Sequence, residues 1–163
     1  KSYGFEQAAR FLNDRRDLRN SVVLVSSEAN GEGIAITETE MIESRPGRYL
    51  LRANKLLARA DWSGEHYEPA FPSAAAVRNE LDLLPASALV IDFTRGERPR
   101  EHHQQLLQML ANHPPEWRLA GSFGPYGGDA RPVRIYVRSG SHHPAGNHLQ
   151  SILADELHRI GEQ

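Results

Sequence analysis

The fold is decided by residues 21–35, which read SVVLVSSEANGEGIA. The four apolar residues from Val22 to Val25 predict a strand buried on both faces, because a half-exposed strand would alternate apolar and polar positions. Two serines end the apolar run, and a short segment containing Gly31 and Gly33 leads into a helical pattern. This order is typical of the first unit of a parallel α/β sheet, which binds ligands beyond the carboxyl ends of its strands.

Outward from this stretch, helical and strand patterns alternate along the chain. Apolar spacing predicts helices at about 5–12, 33–44, 73–84, 101–113 and 149–160, and strands at 48–53, 88–93, 117–123 and 132–138. Ser73 is expected to cap its helix, and Glu38, Glu40 and Glu43 are expected to face solvent. The stripe of the last helix consists of Leu149, Ile152, Leu153, Leu157 and Ile160.

The order of elements predicts an α/β domain of three layers, Rossmann-like, with a mainly parallel sheet and helices on both faces. The last two strands predict an antiparallel carboxyl-terminal hairpin at the edge of the sheet. The 163 residues are expected to form a single α/β domain. Its parts are a leading helix and turn (1–20), a core (21–138), and a linker with a carboxyl-terminal helix (139–163).

Composition excludes several classes of protein. Hydrophobic residues at 39% and charged residues at 25% are ordinary for a globular protein, and a net charge of −2 gives no case for nucleic acid. Cysteine is absent, which rules out disulfides, zinc thiolates and a thiol nucleophile. No apolar run approaches the ~20 residues that span a bilayer. The chain starts at Lys1 rather than Met, as expected either for a processed chain or for a fragment of a longer protein.

Gly31 and Gly33 invite comparison with the dinucleotide-binding fingerprint. The third glycine is missing, since Ile36 stands in its place, and the second strand is followed by Arg52, Asn54 and Lys55 rather than by an acid. NAD is therefore disfavoured, and the sequence predicts no cofactor. Phosphate binding at the helix amides stays open, beside the simpler interpretation of a glycine turn.

Ser26 and Ser27 can be combined with Asp92 and one of eight histidines into a Ser-His-acid triad. No Gly-x-Ser-x-Gly elbow surrounds either serine, so both are expected to cap the strand end, and no catalytic residue is predicted. His102 and His103 point about 100° apart on a helix and are poorly placed to share a metal. We expect them at the surface and predict no metal site.

Asp61, Trp62 and Tyr67 form the group that most suggests a ligand-binding site. Two aromatic rings beside a carboxylate suit a sugar, although both rings can equally seal the end of the sheet. Arg52 and Lys55 are candidates for an anion or for pairing with Glu28 or Asp61. The predicted ligand-binding surface comprises Ser26, Ser27, Asn30, Gly31, Gly33, Arg52, Lys55, Asp61, Trp62, Tyr67 and Asp92.

A family resemblance adds to these patterns. It is carried by the Val22–Ser27 strand with Gly31-Glu32-Gly33, by residues 49–58, by Asp61-Trp62 with Tyr67, by Val90-Ile91-Asp92 and by Trp117-Arg118-Leu119. Between about Gly4 and Arg138 the chain resembles the carboxyl-terminal extracytoplasmic domain of bacterial membrane glycosyltransferases of the dolichyl-phosphate-mannose–protein mannosyltransferase type.

The resemblance implies a non-catalytic appended domain, because the chemistry of that family belongs to a multi-span membrane portion that this chain does not include. Its implied partners are the membrane-embedded portion of the same parent chain and a glycan or lipid-linked sugar, at the extracytoplasmic face of the bacterial inner membrane. The alternative is a free-standing α/β enzyme or binding protein for a nucleotide-type ligand such as S-adenosylmethionine. The closing hairpin and Asp92 are compatible with that alternative, whereas the poor glycine loop disfavours it.

Overall fold

The computed structural model describes residues 4–27, 31–43, 47–60, 66–93, 99–124 and 132–140, together with Gln150, Ser151 and Ala154. The helices are α1 (Phe5–Asp14), α2 (Gly31–Ile42), α3 (Ala53–Leu56), α4 (Ala74–Leu83) and α5 (Glu101–Ala111), with a 3-10 turn at Arg16–Leu18. The strands are β1 (Val22–Ser26), β2 (Tyr49–Arg52), β3 (Ala58–Arg59), β4 (Glu68–Pro69), β5 (Ala86–Asp92), β6 (Trp117–Phe123) and β7 (Val133–Arg138).

Five strands form one sheet in the order β2-β1-β5-β7-β6. The pairs β1–β2 and β1–β5 are parallel, whereas β7 runs antiparallel to both β5 and β6. Four of the five strands therefore point the same way, which confirms an α/β fold with a mainly parallel sheet. A separate antiparallel pair is formed by β3 and β4, for which the sequence predicted no strand.

Strand β1 is buried along its whole length, as its apolar run predicts. Val22 and Leu24 pack into one core with residues of α3, α4 and α5, whereas Val23 and Val25 pack into a second core with α1 and α2. The two sets alternate because successive side chains of a strand point to opposite faces. The sheet thus has an apolar core on each side.

Helices α1, α2, α4 and α5 begin and end close to their predicted bounds, whereas most of the predicted helix at 149–160 lies outside the described residues. Ser73 caps α4 as expected, since its hydroxyl accepts the amide of Ala76 at 3.2 Å. The prediction that Glu43 faces solvent is wrong: its carboxylate is buried against Arg48. The same guanidinium donates to the carbonyl of Leu12 at 2.6 Å, so the pair ties the end of α2 to α1.

The predicted hairpin is seen in part. Strands β6 and β7 pair antiparallel, and β7 alternates buried and half-buried residues as its sequence predicts, while the turn at 125–131 lies outside the described residues. Of these two strands, β6 lies at an edge of the sheet and β7 does not, because β7 also pairs with β5. Among the helices that the structure describes, none is long and apolar enough to cross a membrane.

Candidate functional site

Four polar side chains meet at the carboxyl ends of β1 and β5, and we call them the strand-end cluster: Ser26, Ser27, Asp92 and His103. The Ser27 hydroxyl donates to Asp92 Oδ2 at 2.6 Å, and Ser26 Oγ lies 2.8 Å from His103 Nδ1. His103 Nε2 lies 2.9 Å from the backbone carbonyl of Asp92. A carbonyl only accepts, so Nε2 carries the ring proton and Nδ1 accepts the proton of Ser26.

The strand-end cluster is closed to solvent, with each of its four residues at most 6% exposed. Burial lowers the pKa of His103, and electrostatic repulsion from the neighbouring His102 lowers it further. The backbone carbonyl and carboxylate of Asp92, with Glu32, oppose the shift only in part. The lowered pKa therefore favours the neutral ring at pH 7, the form in which Nδ1 accepts a hydrogen bond from the Ser26 hydroxyl.

A second network begins at Glu32, in the first turn of α2, and we call it the Glu32 network. Its carboxylate is 1% exposed and accepts Arg52 Nε and the backbone amide of Asn54, both at 3.1 Å. The carboxylate thus holds the end of β2 and the start of α3 against α2. His102 Nε2 stands 3.9 Å from Glu32 Oε1, just beyond hydrogen-bonding distance.

Tyr67 closes the Glu32 network on the other side. Its hydroxyl accepts the backbone amide of His102 at 3.0 Å and lies 3.0 Å from Nδ1 of the same residue. The hydroxyl therefore donates to Nδ1, which leaves the ring proton of His102 on Nε2, the nitrogen that faces Glu32. Burial raises the pKa of Tyr67, and the Arg100 guanidinium lies 5.1 Å from the centre of its ring.

Gly31 allows α2 to begin against the strand-end cluster. A Cβ atom at this position would lie 1.9 Å from Ser27 Oγ and 3.6 Å from Asp92 Oδ2, so a side chain would displace the serine. Gly33 has no such neighbour, since its Cβ would meet nothing within 4 Å. Gly31 is thus required because α2 approaches Ser27 closely at this position, whereas Gly33 is not required for any such contact.

The accessible part of the site is Arg52. Its side chain is 38% exposed, its Nε is held by Glu32, and it lines a cavity of about 490 Å³ together with Gly33, Ile34, Thr37 and Glu38. Fixing Nε leaves the terminal amino groups as donors in a defined orientation. This arrangement can bind an oxyanion or a cluster of hydroxyl groups.

No family model, curated protein or solved structure matches this chain. The function is therefore inferred from the contacts, burial and charges of the site itself.

Six of the predicted site residues come together at this edge of the sheet: Ser26, Ser27, Gly31, Arg52, Tyr67 and Asp92. Gly33 lines the cavity beside Arg52, and Lys55 is exposed on α3. Asn30, Asp61 and Trp62 lie outside the described residues, so the predicted aromatic pair is represented by Tyr67 alone.

Two sequence-based expectations are wrong at this site. The serines do not cap a strand end through backbone groups, because their hydroxyls bind the side chains of His103 and Asp92. His102 and His103 are not at the surface, since they are 0% and 2% exposed. The site also includes Glu32 and Asn54, to which the sequence assigned no role.

A signal for these residues was present in the helical spacing. Glu32 precedes the buried residues Ala35 and Thr39 by three and seven positions, on the inner face of α2. His103 likewise precedes Leu106 and Leu110 on the inner face of α5. A polar residue at a core position of a helix indicates a buried partner, although spacing alone does not say which one.

Proposed function

We propose that this chain is a non-catalytic ligand-recognition domain of the three-layer Rossmann-like type, with its binding surface around Arg52. The observation that carries the proposal is the pairing of Arg52 with Glu32. A carboxylate that is 1% exposed fixes an arginine that is 38% exposed and borders a cavity. A preorganised guanidinium loses less conformational freedom on binding than a mobile one.

The absence of a catalytic role is argued from burial. Ser26 and His103 have the spacing of a nucleophile and its base, and their hydroxyl and imidazole are hydrogen-bonded at 2.8 Å. A general base acts only on a group within about 3.2 Å or through one water molecule. Both side chains are enclosed, so a substrate has no access to them. Their contacts instead support a role in holding α5 against β1 and β5.

The ligand class follows from the donors on this surface. Arg52 offers terminal N–H groups, and Lys55 adds a charge on the neighbouring α3. These groups suit the hydroxyls of a glycan or the phosphate of a lipid-linked sugar. The resemblance of the sequence to the extracytoplasmic domain of membrane glycosyltransferases supports the same class of ligand. It also supports a location at the extracytoplasmic face of the bacterial inner membrane. There the domain contacts the membrane-embedded portion of a parent glycosyltransferase.

The test is an NMR titration of the chain with sugar phosphates and with acceptor glycans. We expect shift changes confined to Gly33, Thr37, Arg52 and Lys55. Arg52→Gln removes the donors and is expected to weaken binding about 10- to 100-fold, the equivalent of one or two charge-assisted hydrogen bonds. Arg59→Gln, at an exposed arginine of β3, is the matched control and keeps the affinity. The proposal is refuted if none of the ligands changes these chemical shifts. It is also refuted if Arg52→Gln binds with unchanged affinity.

The second candidate is a free-standing α/β enzyme or binding protein for a nucleotide-type ligand such as S-adenosylmethionine. It is favoured by the position of Asp92 at the carboxyl end of β5, beside the start of α2. The carboxylate is only 6% exposed and accepts the proton of Ser27, which disfavours a role in holding a ribose. A thermal-shift screen separates the two, because a ligand at 100 times its Kd adds about 2.7 kcal/mol.

A further inference from the structure

An apolar groove lies between α5 and the β6–β7 end of the sheet. Its volume is about 520 Å³. The side chains used in the following argument are Leu107, Leu110, Trp117, Leu119, Arg134 and Tyr136. Leu119, which pairs with Tyr136 across β6 and β7, is 48% exposed.

The two faces of the sheet differ at this end. On the face that carries Val133 and Ile135, α1 contributes Phe5, Ala8 and Leu12 to the core. On the face that carries Leu119, the part of the chain that the structure describes leaves the groove beside α5. A sheet face is stable when another element covers its apolar side chains. The groove therefore has the position and size expected of a packing site for one more secondary-structure element.

The groove is also basic. Arg118, Arg134 and His113 line it, and its described lining includes no aspartate or glutamate. The Arg134 guanidinium lies 4.4 Å from the centre of the Phe93 ring, and neither arginine forms an ion pair within the described part of the chain. An occupant that combines an apolar stripe with carboxylates complements this lining.

We propose that the groove binds the chain's own carboxyl-terminal segment, residues 149–160. The sequence gives this segment an apolar stripe of Leu149, Ile152, Leu153, Leu157 and Ile160. It also has the carboxylates of Asp155 and Glu156, which are followed by His158 and Arg159. Gln150, Ser151 and Ala154, which lie off the stripe, are helical and exposed. This exposure agrees with a segment that turns its other side to the protein.

The path of the chain supports this occupant. Strand β7 ends at Arg138, and the amide of Ser139 donates to the carbonyl of Glu116 at 2.7 Å. Ser139 itself lines the groove, so the chain leaves the sheet at the groove's edge. The residues between 140 and 149 can span up to about 30 Å when extended, which is ample for a return to a neighbouring surface.

The chain has no cysteine, so introduced cysteines report on this contact without interference. Leu119→Cys is combined, in separate variants of the full chain, with a cysteine at each of residues 149–154. We expect the disulfide between the two introduced cysteines of one chain to form about tenfold faster at 149, 152 and 153 than at 150, 151 and 154. The reason is that a disulfide needs Cβ atoms about 3.5–4.5 Å apart. Oxidation at equal rates, or no oxidation, overturns the proposal. Bonds formed only between chains overturn it as well and assign the groove to a second copy.

Hydrogen exchange provides an independent measurement on the full chain. Leu153→Asp combined with Leu157→Asp is expected to speed exchange in Trp117–Phe123, while Ala154→Asp, the matched control, leaves it unchanged. Amides of Val22–Ser26 verify that the core of each variant is folded. Unchanged exchange of Trp117–Phe123 in the double variant contradicts the proposal. Neither outcome depends on ligand binding at Arg52, so the two proposals fail separately.

Discussion

His103 joins three elements through one side chain. It lies on α5, accepts the hydroxyl proton of Ser26 at the end of β1, and donates to the backbone carbonyl of Asp92 at the end of β5. Burial lowers the pKa of the ring, which favours the neutral imidazole in this arrangement. A residue type common in catalysis thus serves here to hold elements together.

A pH dependence of stability follows from His103. An unfolded histidine has a pKa near 6.5, above the lowered value in the folded chain. Below pH 6.5 the unfolded state takes up a proton that the folded state does not, so stability is complete above this pH and falls as the pH decreases. We expect the free energy of unfolding to decline as the pH falls below about 6.5. His103→Gln removes this slope and the exposed His113→Gln retains it, as chemical denaturation at several pH values would measure.

Glu32 yields the second prediction at the scale of a residue. Glu32→Gln weakens its bond to Arg52 and presents an amide where two donors require acceptors, so we expect a loss of about 1–3 kcal/mol. Arg52 can turn toward solvent, which keeps the loss below that of a fully buried pair. Glu40→Gln, at an exposed position of the same helix, should stay within about 0.5 kcal/mol of the parent. Equal urea midpoints for both variants would contradict the assigned role.

At the scale of the element, α2 connects the polar site to the core that it shares with α1. It begins at Gly31 against Ser27, directs Glu32 inward in its first turn, and buries Ala35 and Thr39. Its far end is tied to α1 through Glu43 and Arg48. The position of Arg52 at the cavity therefore depends on how α2 packs against the sheet and α1.

The two glycines of α2 give a matched pair of variants. Gly31→Ala places a methyl group 1.9 Å from Ser27 Oγ, and we expect a loss of about 1–3 kcal/mol from the forced displacement. Gly33→Ala meets open space and replaces a poor helix former, so we expect a gain of up to about 1 kcal/mol. Thermal unfolding of both proteins tests the opposite signs. Two losses of the same size would show that Gly31 has no special role.

At the scale of the molecule, the two apolar cores share their strands. β1 contributes Leu24 to one core and Val25 to the other, and β5 contributes Leu89 and Val90 in the same way. If β1 and β5 left one core on unfolding, the apolar side chains that they contribute to the other core would also become exposed. We therefore expect the described part of the chain to unfold as one cooperative unit.

Cooperative unfolding is the prediction at this scale. Calorimetry should give one transition with equal calorimetric and van't Hoff enthalpies. Leu24→Ala, which opens a cavity in one core, is expected to cost about 2–5 kcal/mol and to lower the midpoint of that single transition. Val90→Ala, in the other core, should lower the same midpoint. If either variant split the transition in two, the cores would be independent.

The local pattern of the sequence determined the elements and their type. The run Val22–Val25, the cap at Ser73 and the alternation in Val133–Arg138 each express a preference within a few neighbouring residues, and the structure confirms them. An α/β fold with a mainly parallel sheet followed from their order. The insertion of β7 between β5 and β6 did not, because strand order depends on pairing between distant segments.

Only the tertiary structure decided the polar contacts of the site. Ser26 and His103 are 77 positions apart, Ser27 and Asp92 are 65 apart, and Glu32 and Arg52 are 20 apart. Burial of apolar side chains is non-directional and repeats with the period of a helix or strand, so it can be predicted from neighbouring residues. A buried polar group needs one particular partner at hydrogen-bonding distance, and folding alone brings that partner near.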